Sequence, residues 1–162
     1  MEQAVFRARE IFDMAVGIEE QGIAFYQTAR EAASSQAAGV LEYLIDQEKE
    51  HVQVFSRMRE GVSDDSLLPE SYPGERRNYI DSFTRDQVFS DPSAALRELG
   101  NISDPFEVIR VGVDFEHRSI VFYSWIKQIV RRSETEAIDQ IIAEEHLHVN
   151  RLLKLRQEIK GE

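Results

Sequence analysis

The chain has 162 residues, and its 30 Asp and Glu against 19 Lys and Arg give a formal net charge of −11. So acidic a surface repels phosphate backbones and anionic lipid, which argues against nucleic acid or membrane as a main partner. The absence of cysteine excludes disulfides, thiolate zinc sites, iron–sulfur clusters and cysteine nucleophiles. No apolar run reaches spanning length and Met1–Glu10 mixes Glu with Arg, so a cytoplasmic protein is expected. The length predicts one domain over 1–162.

Apolar residues first recur at helical spacing through Ala8, Phe12, Ala15, Gly22 and Tyr26, predicting a helix over Gln3–Ala32. Ser34-Ser35 punctuates the chain before a second stripe, Leu41, Leu44, Phe55 and Met58, which predicts a helix over Gln36–Glu60. All four prolines lie between Gly61 and Pro105, so 61–103 reads as a crossover, with a short helix from Ser90-Asp91-Pro92 to Leu99. Asp104-Pro105 followed by Glu107 is an N-cap, a first-turn proline and a first-turn carboxylate, opening a third helix over Asp104–Arg131. Ser133 to Glu136 has the capping-box pattern and opens a fourth over Glu134–Lys160. The fold class is therefore all-α: helical hairpins 3–60 and 104–160, joined by a long connection into an antiparallel four-helix bundle.

The hairpins repeat. Glu19 and Glu116, Phe25-Tyr26 and Phe122-Tyr123, Glu48 and Glu145, and His51 and His148 are each 97 positions apart. Within each hairpin the Glu and the Glu-x-x-His lie nearly equidistant from the turn. With a rise of about 1.5 Å per residue they fall in one layer of the core. Glu-x-x-His suits a helix because residues three apart share a face.

Four carboxylates thus occupy positions where the stripes otherwise hold Val, Leu, Ile or Phe, and no Lys or Arg occupies a seam position at that level. Burying an unpaired carboxylate costs several kcal/mol or forces it to take up a proton. Two divalent cations balance four carboxylates, and two neutral imidazoles complete the set: Glu19, Glu48, His51, Glu116, Glu145 and His148. Carboxylate with imidazole suits iron or manganese, with zinc an alternative.

Other residues near these stripes have plainer readings. His117 and His146 are rotated about 100° from their neighbouring ligands and are expected to be non-ligands. Glu20, Glu50 and Glu144 are expected to be solvated, and Met14 and Met58 to pack rather than hold a haem. Tyr26 and Tyr123 are expected to be core aromatics whose hydroxyls hydrogen-bond groups behind the ligands, with a redox or oxygen-gating role as the alternative. Gly22 and Ser119 are small where the first and third helices approach, which either leaves space for an oxygen species or simply permits close helix packing. Trp125 belongs to bundle-end packing or a dimer face.

Glu19 with Tyr26, Glu48-x-x-His51, Glu116 with Tyr123, and Glu145-x-x-His148 resemble the ferritin-like di-iron carboxylate pattern. Within it, Ile18 to Tyr26 and Gln47 to His51 most resemble rubrerythrin-like proteins. The resemblance implies that Glu48 and Glu145 bridge two metal ions, with Glu19 and His51 terminal on one, and Glu116 and His148 on the other. The four glutamates would then act in catalysis through the metals, with Tyr26 and Tyr123 behind them. It further implies an oxidoreductase of peroxidase or ferroxidase type, reducing oxygen or hydrogen peroxide with ferrous iron in oxidative-stress defence or iron homeostasis. A homodimer is the expected assembly. The alternatives are a non-catalytic iron-binding or storage protein and an oxygen-dependent hydroxylase on the same bundle. Two departures stand out. Ser119 replaces the further carboxylate that a rubrerythrin proper carries one turn after the third-helix ligand, and these residues cannot build a cysteine-ligated rubredoxin iron. An external electron-donor protein is therefore expected.

Overall fold

The structure, a computed structural model, describes residues 6–62, 78, 103–130 and 132–161. It consists of α1 (Ala8–Arg30), α2 (Ser35–Glu60), α3 (Pro105–Ile129) and α4 (Thr135–Lys160), with a 3-10 turn at Arg132–Glu134 before α4. α1 packs closely on α2, and α3 on α4; α2 against α3 and α1 against α4 close the bundle. No described helix is long and apolar enough to cross a membrane. The expected crossover and its short helix lie outside the described residues, apart from their edges and Asn78.

Local chemistry sets the helix ends. Arg7 is extended, at φ −98° and ψ 160°, and its backbone N–H donates to the Glu10 carboxylate at 2.8 Å, so α1 starts at Ala8; the expected start at Gln3 lies outside the described residues. Ser34 caps α2 by accepting the Ala37 N–H, and Asp104 caps α3 by accepting the Phe106 N–H at 2.9 Å with proline in the first turn. The expected capping box before α4 does not form. Ser133 instead donates to Glu134 at 3.0 Å, and the other Glu134 oxygen accepts the Ala8 N–H at 2.5 Å. The bare N-terminus of α1 competes successfully for this carboxylate because its first N–H groups have no partner within the helix.

Two contacts fix the topology. Ala8–Glu134 places the start of α1 beside the α3–α4 turn. The Ser34 hydroxyl, donating to the Ser103 carbonyl at 2.7 Å, places the α1–α2 turn beside the start of α3. α1 and α4 therefore run one way and α2 and α3 the other, and α2 ends at the opposite end of the bundle from where α3 begins.

The seam residues named above form one apolar core, with Phe12, Met14, Phe25, Leu41, Leu44, Phe55, Ile109 and Leu152 almost fully buried. Met58 packs at its edge. A Cβ on Gly112 would stand 3.3 Å from Leu44 and 3.4 Å from Leu152, so α3 approaches α2 and α4 closely there. The repeat extends to the surface: Arg30 pairs with Glu42 at 3.1 Å across the first hairpin. Lys127 pairs with Asp139 at the corresponding positions of the second. Such exposed pairs contribute at most about 1 kcal/mol, so core burial rather than surface charge holds each hairpin together.

Candidate metal centre

Each helix delivers its polar residues to the same interior layer: Glu19 from α1, Glu48 and His51 from α2, Glu116 from α3, Glu145 and His148 from α4. All six are between 0% and 4% exposed. The layer predicted from the spacing to the turns is therefore real. The imidazoles of His51 and His148 meet edge to face, with ring centroids 4.7 Å apart. Their Nδ1 atoms lie close to the carboxylates without hydrogen-bond alignment: His51 lies 3.4 Å from Glu19 and 3.7 Å from Glu145, and His148 lies 2.6 Å from Glu116 and 4.0 Å from Glu48.

Three groups have ligand atoms within 4.8 Å of one another: Glu19, His51 and Glu145; Glu116, Glu145 and His148; and Glu48 with both histidines. Glu145 thus belongs to a triad in each half, and Glu48 reaches both imidazoles. Despite this crowding, Nδ1 of His51, both ring nitrogens of His148 and both oxygens of Glu145 make no hydrogen bond. An unpaired buried polar atom costs about 1–3 kcal/mol, more when charged, so five together need a counterpart that hydrogen bonding does not supply.

The electrostatics agree. Burial, then repulsion from Glu145, pushes the Glu19 carboxyl well above the usual range, and the same causes act on Glu116. Glu48 is raised by burial and then by Glu19. His148 is lowered to about 3, first by burial and then by the neighbouring His51 and Arg151 charges. Carboxylates that resist ionisation and an imidazole that resists protonation both gain from a cation that is not a proton. None of the buried residues described is Lys or Arg. Oxygen and neutral nitrogen donors from four helices fit divalent metal ions.

Tyr26 and Tyr123 are buried beside this layer. Their expected hydrogen bonds do not form, and both hydroxyls are unpartnered. Burial, and then the surrounding glutamates, raises both phenols and keeps them protonated at neutral pH. Phe25 packs edge to face on Phe115 at 5.0 Å and stands 5.4 Å from Tyr26, an apolar lid on the layer. His117 and His146 are exposed, as are Glu20 and Glu50, and Glu144 is half-buried. Trp125 is 43% exposed. Sequence reasoning missed Gln47, a buried amide beside Glu48 that accepts the Arg151 guanidinium at 2.9 Å. Its off-seam position gave no signal.

A family model described as Rubrerythrin matches residues 10–156. The chain belongs to the rubrerythrin family. No curated protein and no solved structure matches it. The matched span contains both hairpins and all six buried residues of the layer. It carries the paired Glu and Glu-x-x-His set and places Ser119 beside it. Ser119 is buried and, with Glu19, Glu48, Glu116, Ile18 and Phe115, lines a cavity of about 10 Å³. That volume is of the order of one water molecule. The other small residue, Gly22, is buried but does not line it.

Proposed function

We propose that this chain is a dinuclear-metal oxidoreductase whose resident metal is iron and whose substrate is oxygen or hydrogen peroxide. Glu48 and Glu145 would be shared by the two ions, with Glu19 and His51 holding one and Glu116 and His148 the other. The observation that carries the reading is the sharing of Glu145 between two buried triads while both its oxygens lack any hydrogen bond. When bound, a ferrous pair supplies the two electrons that convert oxygen to peroxide or, with two protons, peroxide to two waters.

The chain's own residues prepare that reaction. Phe25, Phe115 and the ring of Tyr26 exclude bulk water, which strengthens every charge interaction within the layer. The carboxyls of Glu19, Glu48 and Glu116 hold protons readily for buried acids and release them when a cation arrives. The Tyr26 and Tyr123 hydroxyls remain protonated and are available as hydrogen-bond donors at the layer's edge. Ser119 leaves room on one side of the carboxylates for about one small neutral molecule. Reducing equivalents come from a separate electron-donor protein, and the working assembly is a homodimer.

Stopped-flow mixing of the anaerobically ferrous-loaded protein with oxygen, and separately with peroxide, tests the proposal. Rapid oxidation of two ferrous ions per chain by at least one of them is expected. Oxidation no faster than that of free ferrous ion in the same buffer would overturn it.

A further inference from the structure

The two halves of the layer correspond residue by residue, but the cavity beside it does not respect that symmetry. Ile18 corresponds to Phe115, Glu19 to Glu116, Gly22 to Ser119 and Glu48 to Glu145, each 97 positions apart. Both members of the first two pairs line the cavity, whereas the last two pairs contribute only Ser119 and Glu48. The cavity therefore straddles both halves yet lies off their symmetry axis, toward Ser119 and Glu48 and away from Gly22 and Glu145. Its lining is two apolar side chains, three carboxyls and one hydroxyl. At about 10 Å³ it has room for one water-sized guest, and four polar side chains meet the two to four partners that such a guest needs.

The hydroxyl is the unusual member of this lining. Ser124 and Thr28 donate to the carbonyls four residues earlier, at 2.7 Å and 2.9 Å, as hydroxyls within helices commonly do. Ser119 is only 4% exposed, and no hydrogen bond of its hydroxyl is found among the described residues. Carboxylates that hold cations are ionised and only accept hydrogen bonds. The Tyr26 and Tyr123 hydroxyls do not line the cavity. Ser119 is thus the one lining side chain able to donate a hydrogen bond once the carboxyls have lost their protons. Resting on the dinuclear reading above, we infer that Ser119 is the hydrogen-bond donor to the small oxidant, which occupies this off-axis cavity rather than a symmetric position between the halves. Oxygen or peroxide becomes a stronger acceptor as it gains electrons, so a hydroxyl held beside it stabilises the reduced species more than the starting one. Ser119 serves twice, since its small size makes the room and its O–H supplies the donor.

Nitric oxide, a neutral diatomic stand-in for oxygen, tests this. It is added anaerobically to the ferrous-loaded full chain, and the N–O stretch is read by infrared spectroscopy in light and in heavy water. A shift between the two solvents is expected in the native chain, because the donated hydrogen exchanges. Ser119→Ala, which keeps the room and removes the donor, should lose that shift while still retaining two ferrous ions per chain. Ser119→Val, which fills the room as well, should lose the shift and also weaken nitric oxide binding. A purely structural role for Ser119 would instead lower the melting temperature of Ser119→Ala and leave the solvent shift in place. A native stretch without a solvent shift, or a shift that survives in Ser119→Ala, would overturn the inference and leave the dinuclear centre standing. Retention of fewer than two ferrous ions by the native chain would overturn the dinuclear reading instead. Crystals of the metal-free chain then test the cavity by itself: an ordered water on the Ser119 hydroxyl supports it, and a dry cavity overturns it.

Discussion

The Glu134 carboxylate accepts the backbone N–H of Ala8 at 2.5 Å, across 126 positions of chain, so the turn of the second hairpin caps the first helix of the first. Glu134 is 8% exposed and also accepts the Ser133 hydroxyl. A charge-assisted bond at a helix N-terminus, partly shielded from water, is worth about 1–2 kcal/mol.

Glu134→Ala is accordingly expected to lower stability by about 1–2 kcal/mol in urea denaturation, with metal stoichiometry unchanged. A loss below about 0.3 kcal/mol would show that the two hairpins do not depend on this cap.

Glu145 and His146 are chain neighbours with opposite surroundings, the first at 0% exposure in both triads and the second in solvent. Glu145→Ala should therefore remove most dinuclear binding, and Glu48→Ala should do the same, whereas His146→Ala and His117→Ala should leave metal content unchanged. Metal analysis after anaerobic loading and desalting distinguishes these outcomes. Full stoichiometry in Glu145→Ala would contradict the proposed sharing of Glu145 between two ions.

The pH dependence of the metal-free chain has a definite sign. Glu19, Glu48 and Glu116 have folded pKa values well above the ordinary 4.5. Below 4.5 each is protonated in both states and costs nothing. As pH rises from there toward the folded value, the unfolded chain ionises while the folded one resists, and stability falls. His148 works the other way, because with a folded pKa of about 3 against 6.5 it removes stability as pH falls from 6.5 toward 3. Three carboxyls outweigh one imidazole. The chelated protein should thus melt higher near about pH 5.5 than near about pH 7.5, and Glu116→Gln should flatten the difference. Metal binding needs the carboxylates deprotonated, so loading should reverse the trend and release protons, seen as a buffer-dependent heat of binding. A chelated protein that gains stability with rising pH would contradict this electrostatic picture.

Much of the site was legible before any coordinates because it is periodic. Glu19, Glu48, Glu116 and Glu145 interrupt apolar stripes at helical spacing, and their doubling at one offset marked them as a set. The Asp104 and Ser34 caps were legible for a related reason, since each acts within three residues of its own position. What stayed hidden depends on distant partners. Ser133 to Glu136 reads locally as a capping box, yet Glu134 is claimed by Ala8 of the other hairpin. Gln47 and Arg151 lie 104 positions apart, off the seam, where nothing in the pattern distinguishes them from solvated residues. The Tyr26 and Tyr123 rings were placed correctly by the stripe. Their hydroxyl partners were not, because a stripe fixes which face a ring occupies and not what its hydroxyl meets.

The central claim is that Glu19, Glu48, His51, Glu116, Glu145 and His148 are crowded together to hold two metal ions. Its most direct measurement is the number of ferrous ions retained per chain after anaerobic loading and gel filtration. Two per native chain is the predicted result. Retention of none, or of two in a chain with all four glutamates replaced by glutamine, would contradict it.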